Sequence, residues 1–294
     1  MKKYKNTEML VRACDEDFFS RLNKISDAVI SSQSKVISLS GPICSGKTTA
    51  ANMLLRRFRE NGIVGHLISI DDFFFDRERL LKLSFEKGLD TPDYDSLDTI
   101  DFKALKIFIE EIFDSDEVHC PIFNFQSGIR DGYKTLKIED NSVFVFEGIQ
   151  AIYPEVSKEL KNHNAISIYI APESKIESAK NIFYPNEIRL MRRIVRDYNF
   201  RGTSPEVTLE MWESVRKNEE LNIFPYVDNC EYHIDSTMPY EIGVLTPYLR
   251  KILKNVSANH RYYRQAEEML DKIADVTSIS DKFILSDSLY KEFI

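Results

Sequence analysis

The chain has 294 residues, 43% of them apolar and 29% charged, the make-up of a globular protein with room for one large domain or two small ones. With 39 basic against 47 acidic residues its formal charge is −8, so its overall field repels phosphate and makes it a poor general binder of nucleic acid or anionic membranes. Any chemistry on phosphate must therefore come from local clusters of positive charge. The N-terminus MKKYKNTEML lacks the apolar core of a signal peptide, and no run reaches the ~18 apolar residues of a membrane span. Cys14, Cys44, Cys120 and Cys230 form neither a CxxC pair nor a zinc pattern. The expectation is a soluble cytoplasmic protein with reduced thiols.

Residues 1–34 read as a helical lead-in, with Phe18, Phe19, Leu22, Ile25 and Val29 at helical spacing. KVISLS at 35–40 is a short apolar run, the signature of a buried strand. A glycine-rich turn follows, then a helix from Lys47 to Glu60 that stops at Asn61-Gly62. VGHLISI at 64–70 reads as a second strand ending at Asp71-Asp72, and 101–113 has helical period. SVFVFEG at 142–148 is a third strand, AISIYIA at 165–171 a fourth, and 186–200 and 207–221 are helical. The main domain is placed at 35–256. The tail at 257–294, which opens with an amphipathic helix (Tyr262, Ala266, Met269, Leu270, Ile273), is expected to pack on it. Strands alternating with helices predict an α/β fold with a parallel sheet covered on both faces. No internal repeat is visible.

The sharpest signal is GPICSGKT, from Gly41 to Thr48, which fits G-x-x-x-x-G-K-[ST] at every fixed position. At a glycine usage of ~7%, a chance match in a chain of this length is on the order of one per cent, and the motif also follows a strand and opens a helix, as its mechanism requires. The segment Gly41, Pro42, Ile43, Cys44, Ser45, Gly46, Lys47, Thr48 and Thr49 is read as a nucleotide-binding P-loop. Its N–H groups form an anion nest at the helix N-terminus. Gly41 and Gly46 supply backbone angles that a Cβ forbids. Lys47 reaches the β- and γ-phosphates, and the Thr48 hydroxyl ligates Mg²⁺.

Three features point from binding to reaction. Asp71 and Asp72 stand at the C-terminal end of a strand, where ligands bind in open α/β sheets, and a carboxylate there can take the proton of an attacking hydroxyl. Glu147 ends the strand SVFVF, a place that suits Mg²⁺ or its bound water. Arg189, Arg192, Arg193 and Arg196 share one helix face, within an arc of roughly 100° at ~100° per residue, with Asp197 just off it and Arg201 just beyond. Four guanidiniums on one face repel one another unless an anion sits among them, and a triphosphate is a natural anion.

GPICSGKTT, SIDDFFFDRE, VFVFEGI and RRIVRDYNFRG resemble the uridine kinase branch of the phosphoribulokinase/uridine kinase family. FRGTSPEVTLEMWESVRKNEELNIFPY and the closing LSDSLYKEFI are similar to the kinase half of a bacterial subgroup usually fused to a TGS domain and a threonyl-tRNA-synthetase-like domain. No such second domain is seen here, so a free-standing kinase module is expected. The resemblance covers nearly the whole chain. It implies a P-loop kinase with a parallel five-stranded core sheet flanked by helices, a helical lid at about 184–204, and a homo-oligomer. It also implies ATP and Mg²⁺ as cofactors, Lys47, Asp71, Arg193 and Arg196 as catalytic residues, and Asp71 as the base. Thr48, Glu147 and Asp71 are the implied metal set, and Arg201 approaches the phosphates from the lid. Asp98, in YDSLDTID, matches the acid that holds the ribose diol, with Asp93 as a rival. Arg193 and Arg130 match substrate-side arginines.

The departures concern the base. Uridine kinases read the pyrimidine with Tyr and His in a segment like P-x-Y-D-F-x-x-H-x-R, where this chain has PIFNFQSGIR, so that Phe123 stands for the Tyr and Gly128 for the His. The family's RGR becomes Arg201-Gly202-Thr203. A site that selects through hydrogen bonds loses discrimination when the donors and acceptors go. Phe73, Phe74, Phe123 and Phe125 suggest a more apolar pocket, with Phe74 and Phe123 against the substrate. The resulting expectation is an ATP-dependent kinase acting on a small-molecule hydroxyl, foremost the 5′-OH of a nucleoside, with no nucleic-acid or membrane partner. The alternative is a non-catalytic ATP-binding regulator. A GTPase is disfavoured, because Asn23-Lys24, the Asn-Lys pair of this chain, precedes the P-loop.

Overall fold

The computed structural model describes residues 7–86, 88 and 96–294. In chain order, α1 (Thr7–Ser32) leads to β1 (Val36–Ser40), α2 (Lys47–Glu60), β2 (Val64–Ser69), α3 (Arg77–Glu86) and α4 (Phe102–Asp114). β3 (Glu117–Asn124) and β4 (Ile129–Lys137) form an antiparallel hairpin. Then come β5 (Ser142–Glu147), α5 (Pro154–Asn162), β6 (Ile166–Ala171) and a small hairpin of β7 (Ile176–Ser178) and β8 (Asn181–Phe183). α6 (Pro185–Phe200), α7 (Pro205–Asn222), β9 (Tyr232–Asp235), α8 (Glu241–Leu253) and α9 (Tyr263–Lys272) complete the chain.

The central sheet has five strands in the order β2-β5-β1-β6-β9, and every neighbouring pair is parallel. From β1 the chain winds first towards β2 and β5 on one side, then returns to β6 on the other. The winding therefore reverses at β1, and the crevice at the C-terminal edge of such a reversal is where α/β sheets take ligands. Alternate residues along the buried strands part to the two faces. Ile37, Leu39, Val143 and Val145 join a core with α1, α2, α6 and α8, while Val36, Phe144 and Phe146 join a second core with α4 and α5. The first core also takes in Phe18, Leu22 and Val29 of α1, Ala266 and Ile273 of the α9 region, and Leu289, Tyr290 and Phe293 of the last turn. The lead-in and the tail thus share one apolar interior with the main domain.

The apolar stripe read on α1 is buried at Phe18, Leu22, Ile25 and Val29, whereas Phe19 is only partly covered. α7 starts two residues earlier than its period suggests, because Pro205 fits the first helical position and Ser204 caps the start. The sequence reading did not place β3–β4, β9 or α8. Residues of β4 alternate between exposed and half-buried, so no apolar run marks the strand. α8 carries Gly243 and Pro247, which read as breakers, yet nine of its residues are buried and packing holds it helical. Among the described residues no helix is long and apolar enough to cross a membrane.

Candidate active site

β1 ends at Ser40 and α2 begins at Lys47, so the P-loop turns through the crevice at the sheet's reversal point. Its two fixed glycines are required for different reasons. Gly41 needs space rather than a special angle, for a Cβ there would lie 2.1 Å from the Ile170 carbonyl oxygen of β6. Gly46 has φ +93°, and a Cβ would also strike Leu289 at 2.3 Å. Cys44 adopts φ +58°, a left-handed conformation that a non-glycine residue holds only under restraint. The first intrahelical bond of α2 runs from Ala50 N–H to Gly46 O at 3.0 Å. The amides ahead of it have no helical acceptor, and the first turn of α2 holds no acidic residue. This helix end attracts anions. Lys47 Nζ folds back to the Pro42 carbonyl at 3.1 Å.

The sheet register sets Glu147 opposite Leu39 of β1 and Ser69 of β2, between the P-loop and the turn that follows β2. Thr48 Oγ1 donates to Glu147 Oε1 at 3.4 Å, while Glu147 Oε2 is buried with no hydrogen-bond partner. Burial raises the Glu147 pKa, and Lys47 only partly offsets this. A hydroxyl beside an orphaned carboxylate oxygen fits a hard divalent cation. Among the described residues no three His, Cys, Asp or Glu side chains cluster as a metal cage. Mg²⁺ usually takes one or two protein ligands and completes its shell with water and phosphate, so Thr48 and Glu147 suit it.

Because the folded pKa of Glu147 lies above the ordinary glutamate value, the folded state keeps this proton to higher pH than the unfolded chain. Its contribution to stability is full below the ordinary glutamate range and is lost as pH rises through the raised folded value. Glu147→Gln is therefore expected to raise the melting midpoint of the ligand-free protein near neutral pH. It should also remove the gain in midpoint that Mg²⁺-nucleotide confers. Scanning calorimetry at neutral and acidic pH checks both, and a variant that melts lower at neutral pH contradicts the assignment.

Asp71 and Asp72 lie in the turn Ile70–Phe73 that follows β2, and both are half-buried. Asp72 is structural: its Oδ1 accepts the Phe123 amide at 3.0 Å, which pins β3 to the turn, and burial raises its pKa. Asp98 sits exposed in the short turn Leu97–Thr99, where Ser96 Oγ donates to its Oδ2 at 3.2 Å. Backbone bonds from Phe75 N–H to Thr99 O (2.9 Å) and from Asp101 N–H to Phe73 O (2.8 Å) tie the Asp71 turn to the Asp98 turn. Asp93, the rival of Asp98, lies outside the described residues.

Phe74 and Phe123 are core residues, 2% and 5% exposed, and pack edge-to-face at 5.6 Å. Both rings belong to the apolar core, where the sequence alone sets them against the substrate. Phe125, 55% exposed and in edge contact with both, is the ring that can meet a ligand. Arg130 is likewise engaged, its Nη2 3.0 Å from Asp101. Gly128 has φ +74° in the tight β3–β4 turn, where a Cβ would come within 2.6–3.0 Å of Arg77.

The arginine face needs the largest correction. Its anions come from the protein. Arg189 is paired bidentately with Glu219, and Arg192 with Glu241 at 2.8 and 3.0 Å. Arg193 and Arg196 share Asp197, at 3.2 and 2.7 Å. All four arginines are buried. Arg189 and Arg192 also donate to the P-loop carbonyls of Ile43 (3.3 Å) and Cys44 (3.2 Å), so they brace the loop. Arg193 Nη1 is buried without a hydrogen-bond partner, and Arg201 is exposed, 3.6 Å from Asp197. From Ile188 to Asp197 α6 is wholly buried, so the exposed part of the 184–204 range on the far side of the arginines is 198–204. Sequence reasoning missed Glu219, Glu241 and the closing turn at Leu289. Glu219 and Glu241 lie in other helices, and only the fold brings them to α6.

Comparison with known proteins agrees with this architecture. Residues 36–241 match the model of the phosphoribulokinase / uridine kinase family. A uridine kinase from Ureaplasma urealyticum serovar 10 is 28% identical over 179 residues, 61% of this chain and 76% of that protein. A uridine kinase from Halalkalibacterium halodurans is 27% identical over 204 residues, 69% and 85% of the two chains. Among solved structures, a candidate fructose transport system kinase from Silicibacter sp. TM1040 superposes with a TM-score of 0.55 at 18% identity, covering 72% of this chain and 98% of that one, a likeness of fold. With its P-loop at the reversal point of a five-stranded parallel sheet, the chain belongs to the phosphoribulokinase / uridine kinase family and is an ATP-dependent kinase.

Proposed function

We propose that this kinase transfers the γ-phosphoryl group of ATP to the 5′-hydroxyl of a nucleoside, with weak discrimination among bases. The observation that carries the reading is the backbone tie between the Asp71 and Asp98 turns, on the sheet edge that also holds Glu147 and the P-loop. In this reading Asp98 holds the ribose diol. Asp71 then takes the proton from the 5′-hydroxyl as its oxygen attacks the γ-phosphorus, and the bond to the β-γ bridging oxygen breaks to release ADP. Lys47 and the α2 amides hold the polyphosphate, and the unpartnered Arg193 Nη1 and the exposed Arg201 meet the transferred group. Mg²⁺, held by Thr48 and Glu147, would neutralise phosphate charge when bound. The lid is proposed to be the exposed stretch 198–204, since α6 before it is anchored by buried ion pairs.

The weak discrimination follows from Phe123 and Gly128. A buried phenyl ring offers no hydroxyl to a pyrimidine, and the glycine turn is filled by Arg77. Incubation with Mg-ATP and a panel of nucleosides and free sugars is expected to add one phosphoryl mass to several nucleosides. Turnover should differ among them by less than about tenfold, far below the 10⁴–10⁵ of a site that reads a substrate through hydrogen bonds. Phosphorylation of sugars alone, or of no acceptor, refutes the nucleoside assignment.

A further inference from the structure

The turn Leu289–Glu292 lies against the phosphate-binding loop, a contact that the loop motif does not call for. Leu289 covers Gly46, and Thr49, in the first turn of α2, donates its hydroxyl to Glu292 Oε2 at 3.0 Å. The segment is fixed on both sides of this carboxylate. Arg56 pairs with Asp287 at 2.9 Å, and Ser288 donates to the buried Asp15 at 3.2 Å. The fully buried rings of Tyr290 and Phe293 pack on the Arg192 guanidinium at 5.4 and 5.3 Å. Glu292 is half-buried, so its charge is only partly screened. That charge is felt at Glu147, whose pKa it helps to raise, and at Arg196.

A carboxylate held in this way acts on any polyphosphate that enters the loop. It supplies the anion that the first turn of α2 lacks, at the positive end of the helix. A metal-free nucleotide brings its whole negative charge to a site where Glu147 and Glu292 already stand, and both repel it. The metal complex carries two fewer negative charges and presents a cation to those acids. The geometry points to Glu292 as a specificity-determining residue that makes the site prefer metal-complexed over metal-free nucleotide. This inference rests on reading the loop as the phosphate site.

The test is the dissociation constant of ADP and of a non-hydrolysable ATP analogue, measured by calorimetry in Mg²⁺ and in EDTA. Glu292→Gln keeps an oxygen for the Thr49 hydroxyl and removes only the charge. It is expected to tighten metal-free binding on the order of tenfold, the effect of one neighbouring charge in a partly solvated site. Binding with Mg²⁺ should change much less, so the preference for the metal complex shrinks. Glu292→Asp, which keeps the charge, should retain most of that preference. An unchanged ratio of the two constants in Glu292→Gln overturns the inference alone and leaves Glu292 as a tether for Thr49. No nucleotide binding by the unaltered protein in either condition overturns the reading of the loop, and this inference with it.

Discussion

Asp71→Asn is expected to slow phosphoryl transfer by about 10²–10⁴-fold, the usual contribution of a positioned general base, while nucleotide affinity stays unchanged. The substitution keeps the shape of the side chain and removes its capacity to take a proton. The P-loop contacts lie on β1 and α2, on separate elements, so the phosphate cradle survives. The neighbouring acid serves as the control. Asp72 accepts the Phe123 amide and has its pKa raised by burial, so its work is to hold the β3–β4 hairpin. Asp72→Ala, which removes that acceptor, should lower the melting midpoint with a smaller loss of rate per folded molecule. Stopped-flow turnover and calorimetric nucleotide affinity on both variants separate the roles, and turnover by Asp71→Asn close to that of the unaltered enzyme removes Asp71 from the mechanism.

The contrast between these adjacent aspartates marks what a sequence can carry. Both were legible as acids at the end of a strand, because strand period and a following turn are local properties. Which of them holds β3 in place depends on the hairpin that docks fifty residues later, and nothing local records that. The same division holds elsewhere. The P-loop was fully readable, since its function lies in contiguous backbone, although Gly41 proved necessary for its approach to β6 rather than for its angle. The helix of arginines was legible as a cationic face, and the inference that it must hold an anion was sound. The anion turned out to be Glu219, Glu241 and Asp197, and two of these come from helices whose placement on α6 is tertiary. Aromatic composition does not distinguish a pocket wall from a core, so the sequence alone sets Phe74 and Phe123 against a substrate, whereas the structure buries both.

The buried Arg192–Glu241 pair gives the second large effect. Both side chains are fully buried, with contacts of 2.8 and 3.0 Å. Arg192 uses its remaining donors on Ser236 O (2.8 Å), Ser236 Oγ (3.3 Å) and Cys44 O (3.2 Å). Glu241→Gln leaves a guanidinium in the interior without a counter-charge. It is expected to cost about 3–5 kcal/mol, a fall in melting midpoint on the order of 10 °C. Glu268→Gln, which breaks the exposed Arg264–Glu268 pair, should cost less than about 1 kcal/mol, because solvent screens such pairs. The double variant Arg192→Met with Glu241→Leu separates charge balance from bracing. An apolar pair of similar volume can restore most of the lost stability, yet it cannot donate to the Cys44 carbonyl and hold that residue at φ +58°. Melting should therefore recover while nucleotide affinity remains weakened; if affinity recovers together with stability, the arginine is no brace of the phosphate loop.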